Sequence, residues 1–235
     1  MCYSSLAEKD FKKLNHDLGA NPWPEAFDQL EAAQNFESAA GPDTIKSLLG
    51  LSRKPQSTKF RYCDDNGRFY PNWFAPVIIQ QDSEKRIVPM RYRIRPQGSD
   101  KEVPTKYNMY NAKVESLLSA HNWRKLIGRN HAVVVVKQFY EYVNKVETVI
   151  EPVNTGTLKF AAVYDEWSSP GGEVAFRSFA IITGPPPQSI LTIGHHRCPI
   201  TLSNNEVDQW LSTNSSHDAL DMLKSTTRFE YKKAM

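Results

Sequence analysis

Cysteine is scarce in this 235-residue chain: Cys2, Cys63 and Cys198 are its only three. An odd count with no metal-ligand spacing argues against a disulfide framework and against a thiolate zinc site. It fits a reducing compartment such as the cytoplasm. No apolar run reaches about 18 residues, so a transmembrane helix is not expected. The first residues lack the basic stretch and apolar run of a secretory signal. Repeats and low-complexity tracts are missing as well. So is a strong charge of one sign: the net charge is +3, and any nucleic-acid binding has to come from a local patch. What is present, 40% hydrophobic residues, suffices for a sizeable core.

Residues 5–51 read as helical. Leu6, Phe11 and Leu14 recur at helical spacing, Pro24 stands where a first helical turn tolerates proline, and Asp43 offers a cap for a segment ending near Gly50. From residue 57 the pattern changes. Residues 59–63, 69–79, 86–94, 131–143, 158–167 and 174–183 are rich in β-branched and aromatic side chains with turn signals between them. Residues 114–127 predict one amphipathic helix; 204–212 and 217–224 predict short ones. The sum is an α+β fold with a β-rich core and peripheral helices.

Several stretches carry chemistry. Removal of Met1 would make Cys2 the first residue, with its α-amine and thiol on one carbon framework. That amine titrates near 8, about two units below lysine, so part of it is neutral at pH 7. A neutral amine attacks an aldehyde to give an imine, and the thiol can close on it as a five-membered thiazolidine. A small second residue also permits Met1 removal without any such role. Tyr110-Asn111-Ala112-Lys113 sets an amide and a cation before the predicted helix, where they also suit an ordinary polar helix start. Glu141 follows the apolar run 132–136 among aromatics, a setting for acid/base work unless strand alternation turns it to water. His195, His196 and Arg197 cluster at a strand end, where arginine can pair with phosphate and histidine can transfer protons. No third metal ligand is near, so no metal and no cofactor is expected. Arg91, Tyr92, Arg93 and Arg95 read either as the solvated face of a strand or as phosphate contacts beside a stacking ring.

Taken in order, these stretches resemble the SRAP family, the SOS-response-associated peptidase domain, over nearly the whole chain and most clearly from 69 to 211. Cys2 occupies the family's second position. Asn72-Trp73-Phe74-Ala75-Pro76 is similar to N-I-A-P-T. Met90-Arg91-Tyr92 begins a stretch similar to M-R-W-G-L-I-P. Residues 110–116 resemble N-A-R-x-E-T, and 138–142 resemble G-F-Y-E-W. Residues 160–167 are similar to F-A-G-L-W-x-x-W, 178–183 to S-F-x-I-I-T, and 195–202 to H-x-R-M-P-V-I-L. The resemblance implies one domain over 1–235, with a core of coiled antiparallel strands and the helical region 5–51 as a family-variable insertion.

It also implies a function: shielding abasic sites in single-stranded DNA through a covalent thiazolidine crosslink to Cys2, a lyase-like activity with a cis-acting cysteine peptidase activity beside it. In that scheme Cys2 crosslinks, Asn111 holds the opened sugar, Glu141 is the acid/base group and His195 promotes ring opening. Lys113, Arg91, Thr183 and Arg197 meet the DNA backbone, and Tyr92 stacks. The partner is single-stranded DNA containing abasic sites. The protein is expected to be a monomer away from membranes, in the cytoplasm or on a bacterial nucleoid. The chain departs from the family's M-C-G-R start, carrying Tyr3 and Ser4, and has Lys113 in place of arginine. Two alternatives stand beside this reading, a thiol peptidase and a non-covalent single-stranded DNA binder.

Overall fold

The computed structural model describes residues 3–154, 156–226 and 229–234. The chain opens with β1 (Ser4–Ala7), α1 (Phe11–Leu18), the two-residue β2 (Asn21–Pro22) and α2 (Pro24–Leu48). Strands β3 (Arg68–Phe69), β4 (Phe74–Gln81) and β5 (Glu84–Tyr92) follow. Next come β6 (Asn111–Lys113) and α3 (His121–Arg124), then β7 (His131–Val143), β8 (Val146–Pro152), β9 (Leu158–Ser168) and β10 (Ala175–Gly184). The last part holds α4 (Gln188–Ile193), β11 (Cys198–Pro199), β12 (Thr201–Leu202), α5 (Asn204–Ser212), α6 (Ser216–Ser225) and β13 (Tyr231–Lys233).

Five long strands close a ring. β9 pairs with β10, β10 with β5, β5 with β4, β4 with β7, and β7 returns to β9. The pairings are antiparallel except β10 with β5; β6 also runs parallel to β10. Closure leaves both faces of each strand covered, so the strands read as continuous apolar runs rather than alternating ones. Alternate residues feed two clusters. Ala132, Val134, Val136, Phe160, Phe179 and Ile181 join one around Phe69 and Tyr92. Val133, Val135, Ala161, Val163, Ala180 and Ile182 join the other, against Leu14, Trp123, Trp210 and Leu223 of the helices. Each fully buried Val, Ile, Leu or Phe among them contributes about 1.5–3 kcal/mol by leaving water.

The first fifth is less helical than its apolar spacing suggests. Ser4–Ala7 is a strand because it docks between β7 and β3, burying Ser4 and Ser5 completely. The helix starts only after Asp10, whose carboxylate accepts from the Lys12 and Lys13 amides at 2.9 and 3.1 Å. α2 breaks at Gly41, with φ 76° and ψ 166°, and resumes at Pro42. Residues 59–63 form only a single bridge, Tyr62 to Phe74. The helix expected over 114–127 is also corrected. Asn111–Lys113 is drawn into pairing with β10, and the chain then folds back through a 3-10 turn, Val114–Ser116, and the one-turn α3. Leu117, Trp123 and Leu126 still point into the core.

Candidate active site

β10 assembles most of the site by pairing on two sides. Ile181, Ile182 and Thr183 lie opposite Asn111, Ala112 and Lys113, and Thr183 and Gly184 lie opposite Pro199 and Cys198. The Asn111 side chain is buried at one end of this array. Its Oδ1 accepts from the Tyr92 hydroxyl at 3.3 Å. Lys113 is exposed at the other end.

A Glu141–His195 pair comes from β7 and from the loop after α4. Glu141 is 2% exposed, and its Oε2 lies 3.2 Å from His195 Nε2. His195 Nδ1 lies 2.8 Å from the Arg197 carbonyl. The hydrogen bond to Glu141 raises the His195 pKa above its usual 6.5, against the opposing effect of burial. His196, its neighbour in sequence, is exposed. A second histidine shows the contrast. His131 stacks on Trp210 at 3.9 Å, accepts from the Gly128 amide and meets the Trp210 carbonyl, and burial pushes its pKa down to about 4. His131 is therefore a neutral core residue.

Arg197 lines the rim. Its two terminal nitrogens grip Glu115 at 3.0 and 2.9 Å, one of them also donates to the Thr183 carbonyl at 2.7 Å, and Nε reaches Thr183 Oγ1 at 3.4 Å. The Arg197 hydrogen bond pulls the Glu115 carboxyl below the usual range. Beside this rim a cavity of about 500 Å³ opens between Glu115, Gly184, Cys198, Ile200 and Tyr231. Burial raises the thiols of Cys198 and Cys63 to about 12 and 11, so neither is a ready nucleophile.

The N-terminal strand docks at the same place. Ser4 lies opposite Tyr140, and the Tyr3 amide donates to the Tyr140 carbonyl at 3.3 Å, one residue from Glu141. Cys2 lies outside the described residues. Among the described residues no group of histidine, cysteine or carboxylate side chains is arranged to hold a metal ion, and no helix is long and apolar enough to cross a membrane.

Thus Glu141, His195 and Arg197 are linked, Thr183 of β10 holds Arg197, and β6 lays Asn111 and Lys113 along the same stretch of β10. Three expected DNA contacts look different in place. Arg91 is buried against Glu102, with nitrogen–oxygen distances of 2.8 and 3.3 Å. Tyr92 has no exposed surface and stacks on Phe179, so it offers a base no face; it props Asn111 instead. Thr183 is fully buried and orients Arg197. Sequence reasoning missed Arg68. Its guanidinium lies 3.7 Å over the Tyr140 ring and donates to Ser4 Oγ at 3.2 Å and to Glu147 at 2.5 Å. It also left Glu115 unassigned, and only the Glu-to-Arg spacing across 82 residues, invisible without the fold, ties it to the site.

Comparison with known proteins identifies the family and the fold. The sequence model of the SOS response associated peptidase (SRAP) family matches residues 35–234. Abasic site processing protein YobE of Bacillus subtilis is 27% identical over 169 residues, covering 67% of this chain and 76% of the relative. Abasic site processing protein YoqW of Bacillus phage SPbeta is 25% identical, covering 67% and 74%. Abasic site processing protein HMCES of Mus musculus is 24% identical over 205 residues, and the match spans 57% of that longer protein. A crystal structure of a Bordetella bronchiseptica protein superposes over the full length of both chains with a TM-score of 0.68 at 16% identity. One from Bacteroides thetaiotaomicron gives 0.67 at 17% identity, covering all of this chain and 92% of the other. At these identities the structures speak for the fold.

Proposed function

The chain belongs to the SRAP family, and from that premise we propose that it processes abasic sites in single-stranded DNA by crosslinking them to Cys2. The observation that carries the reading is the buried Glu141–His195 pair at the point where the N-terminal strand docks on β7. Cys2 is one peptide bond from Tyr3, whose amide is held by Tyr140. The relatives named as abasic site processing proteins support the same substrate.

In this mechanism an abasic deoxyribose equilibrates between its ring and its open-chain aldehyde. His195, whose pKa Glu141 raises, turns its Nε2–H from Glu141 to the ring oxygen and gives up that proton as the ring opens. Removal of Met1 exposes the Cys2 amine. That amine adds to the C1′ aldehyde carbon, and Glu141 moves the proton as water leaves and the imine forms. The Cys2 thiol then adds across the imine: sulfur bonds to C1′ and its proton passes to nitrogen. The product holds C1′ in two bonds to one residue and removes the imine that leads to β-elimination and strand cleavage. Asn111, propped by Tyr92, holds the opened sugar. Lys113 and Arg197 take the backbone phosphates, with affinity that falls as salt rises.

Intact mass spectrometry tests this with a single-stranded oligonucleotide carrying one abasic site. The expected result is a chain lacking Met1 and a one-to-one adduct, lighter by one water than the sum, that survives heat and denaturant and is absent from Cys2→Ser. Retention of Met1, or a Cys2→Ser variant that forms the same stable adduct, overturns the mechanism.

A further inference from the structure

Tyr3 and Tyr142 are 41% and 52% exposed, yet their rings touch, edge to face with centroids 5.5 Å apart. Tyr3 also meets Tyr70 at 5.9 Å, and Tyr70 meets Trp73 at 5.0 Å. Two guanidinium groups back this patch: Arg68 lies 4.9 Å over Tyr70, and Arg61 lies 3.6 Å over Trp73. Contiguous exposed aromatics cost free energy in water and mark a surface that something else covers. Rings interleaved with arginine suit one occupant above others, the bases and phosphates of a single strand.

The position of the patch narrows this further. Tyr142 directly follows Glu141 along β7 and Tyr3 is held to Tyr140, so the ring patch sits within two residues of Glu141 on both strands. A nucleotide seated at Glu141 and His195 therefore has its neighbour at these rings. The backbone of Tyr3 is fixed by its hydrogen bond to Tyr140, while its ring stays open to solvent.

We propose that Tyr3 is a specificity-determining residue that stacks the nucleobase adjacent to the abasic site and thereby holds the residue before it in line with the sugar. This rests on the reading of the site as a crosslinking centre. The neighbouring base becomes part of the recognition: an abasic site flanked by a base is preferred over one flanked by a second baseless sugar. Tyr70 and Tyr142 form the walls, and Arg68 supplies positive charge beside the stacked nucleotide.

The test uses the full chain and single-stranded oligonucleotides in which tetrahydrofuran replaces the abasic sugar. Tetrahydrofuran has no aldehyde, so stacking is read apart from crosslinking. One oligonucleotide carries 2-aminopurine beside the tetrahydrofuran; another carries a second tetrahydrofuran there. The wild-type protein should quench 2-aminopurine fluorescence on binding and favour that oligonucleotide by roughly tenfold. Tyr3→Ala should lose both the quenching and the preference, and Tyr3→Phe should keep them. Equal affinity of the wild type for the two oligonucleotides, or a full preference in Tyr3→Ala, overturns the proposal. So does a wild-type mass of two copies in light scattering that Tyr3→Ala reduces to one, since the rings would then be covered by a second copy. If the preference holds but a true abasic oligonucleotide gives no adduct, it is the crosslinking mechanism that fails and the stacking surface that stands.

Discussion

Arg91 at the end of β5 and Arg93 and Arg95 just beyond it converge on Glu102, each of the three nearly or completely buried. Arg197 and Arg68 also hold glutamates, Glu115 and Glu147, but at the solvent edge, with Lys113 exposed nearby. The residue types are the same and the work differs. In the buried group the guanidinium hydrogens are spent on protein: Arg95 donates to the Leu49 and Ser99 carbonyls and lies over Trp167, and Arg93 donates to the Val103 and Pro104 carbonyls. This knot fastens the end of α2 and the 96–104 loop to the barrel. At the rim each arginine holds a carboxylate that water already reaches, and such pairs are weak enough to exchange for a phosphate. Charge that builds the fold is distinguished from charge that meets a ligand by whether its partner is buried with it.

The sharpest break in this comparison is Glu102→Ala. Three buried cations would lose their shared carboxylate, and removing one side of a buried pair costs about 3–5 kcal/mol. Urea denaturation should show a loss of that size, while the fraction still folded binds single-stranded DNA as before. The pH dependence follows the same logic. Burial pushes the Glu102 carboxyl up, but the charges of Arg91, Arg93 and Arg95 outweigh it and hold the pKa below its usual 4.5. A lowered folded-state value contributes stability above the usual range and loses it as the pH falls through the folded value. The wild type should thus shed stability in acid below about 4.5, and Glu102→Gln should flatten that part of the curve. An unchanged denaturation midpoint in Glu102→Ala would dissolve the distinction between knot and rim.

Next in size is the Glu141–His195 pair, proposed as the acid/base group. Glu141→Gln keeps the shape and removes the acid/base group, so the crosslinking rate should fall about 10²- to 10⁴-fold. Its second readout is His195. The wild-type pKa is raised by Glu141, so the stabilisation from that pairing is complete below 6.5 and is lost as the pH rises through the higher folded value. In Glu141→Gln the main raising cause is gone, and the NMR titration of His195 should move down. His131, neutral in the core to about pH 4, serves as the internal reference that stays put. A His195 titration that does not move would show that Glu141 does not hold its proton.

Much of this was legible in the chain, and the gaps have physical causes. The ring strands announced themselves because both their faces are buried, which writes 132–136 and 179–182 as strong apolar runs. Asn111, Glu141, His195 and Arg197 were singled out through short motifs tied to chemistry, and the fold links Glu141 to His195 and carries Arg197 on the same loop. Arg91 and Tyr92 carried the same surface signal as a true DNA contact. Only Glu102, eleven residues on and unremarkable in sequence, shows that Arg91 is neutralised inside the fold. Leu6 fitted a helical spacing, but pairing with β7 and β3 outweighs local periodicity in a four-residue segment. Arg68 and Glu115 belong to the rim through partners 64 and 82 residues away, a separation that no local pattern carries.

The smallest expected effect probes the rim itself. Arg197 grips Glu115 with both terminal nitrogens, and a phosphate arriving at Arg197 has to displace that carboxylate. Exposed pairs of this kind are worth about 0–1 kcal/mol. Glu115→Gln should therefore tighten binding of single-stranded DNA by only about two- to fivefold, through removal of a competing acceptor and a repelling charge. Arg197→Ala should act in the opposite direction, lowering the slope of log affinity against log salt by about 0.7, the increment for one phosphate contact on a single strand. Fluorescence anisotropy across a salt series reads both. If Arg197 meets a phosphate, the double variant should bind as Arg197→Ala does, since Glu115 can compete only through the arginine it holds. If Glu115→Gln still tightens binding when Arg197 is absent, the carboxylate repels DNA on its own and Arg197 is part of the scaffold, which would move it from the rim to the side of the knot.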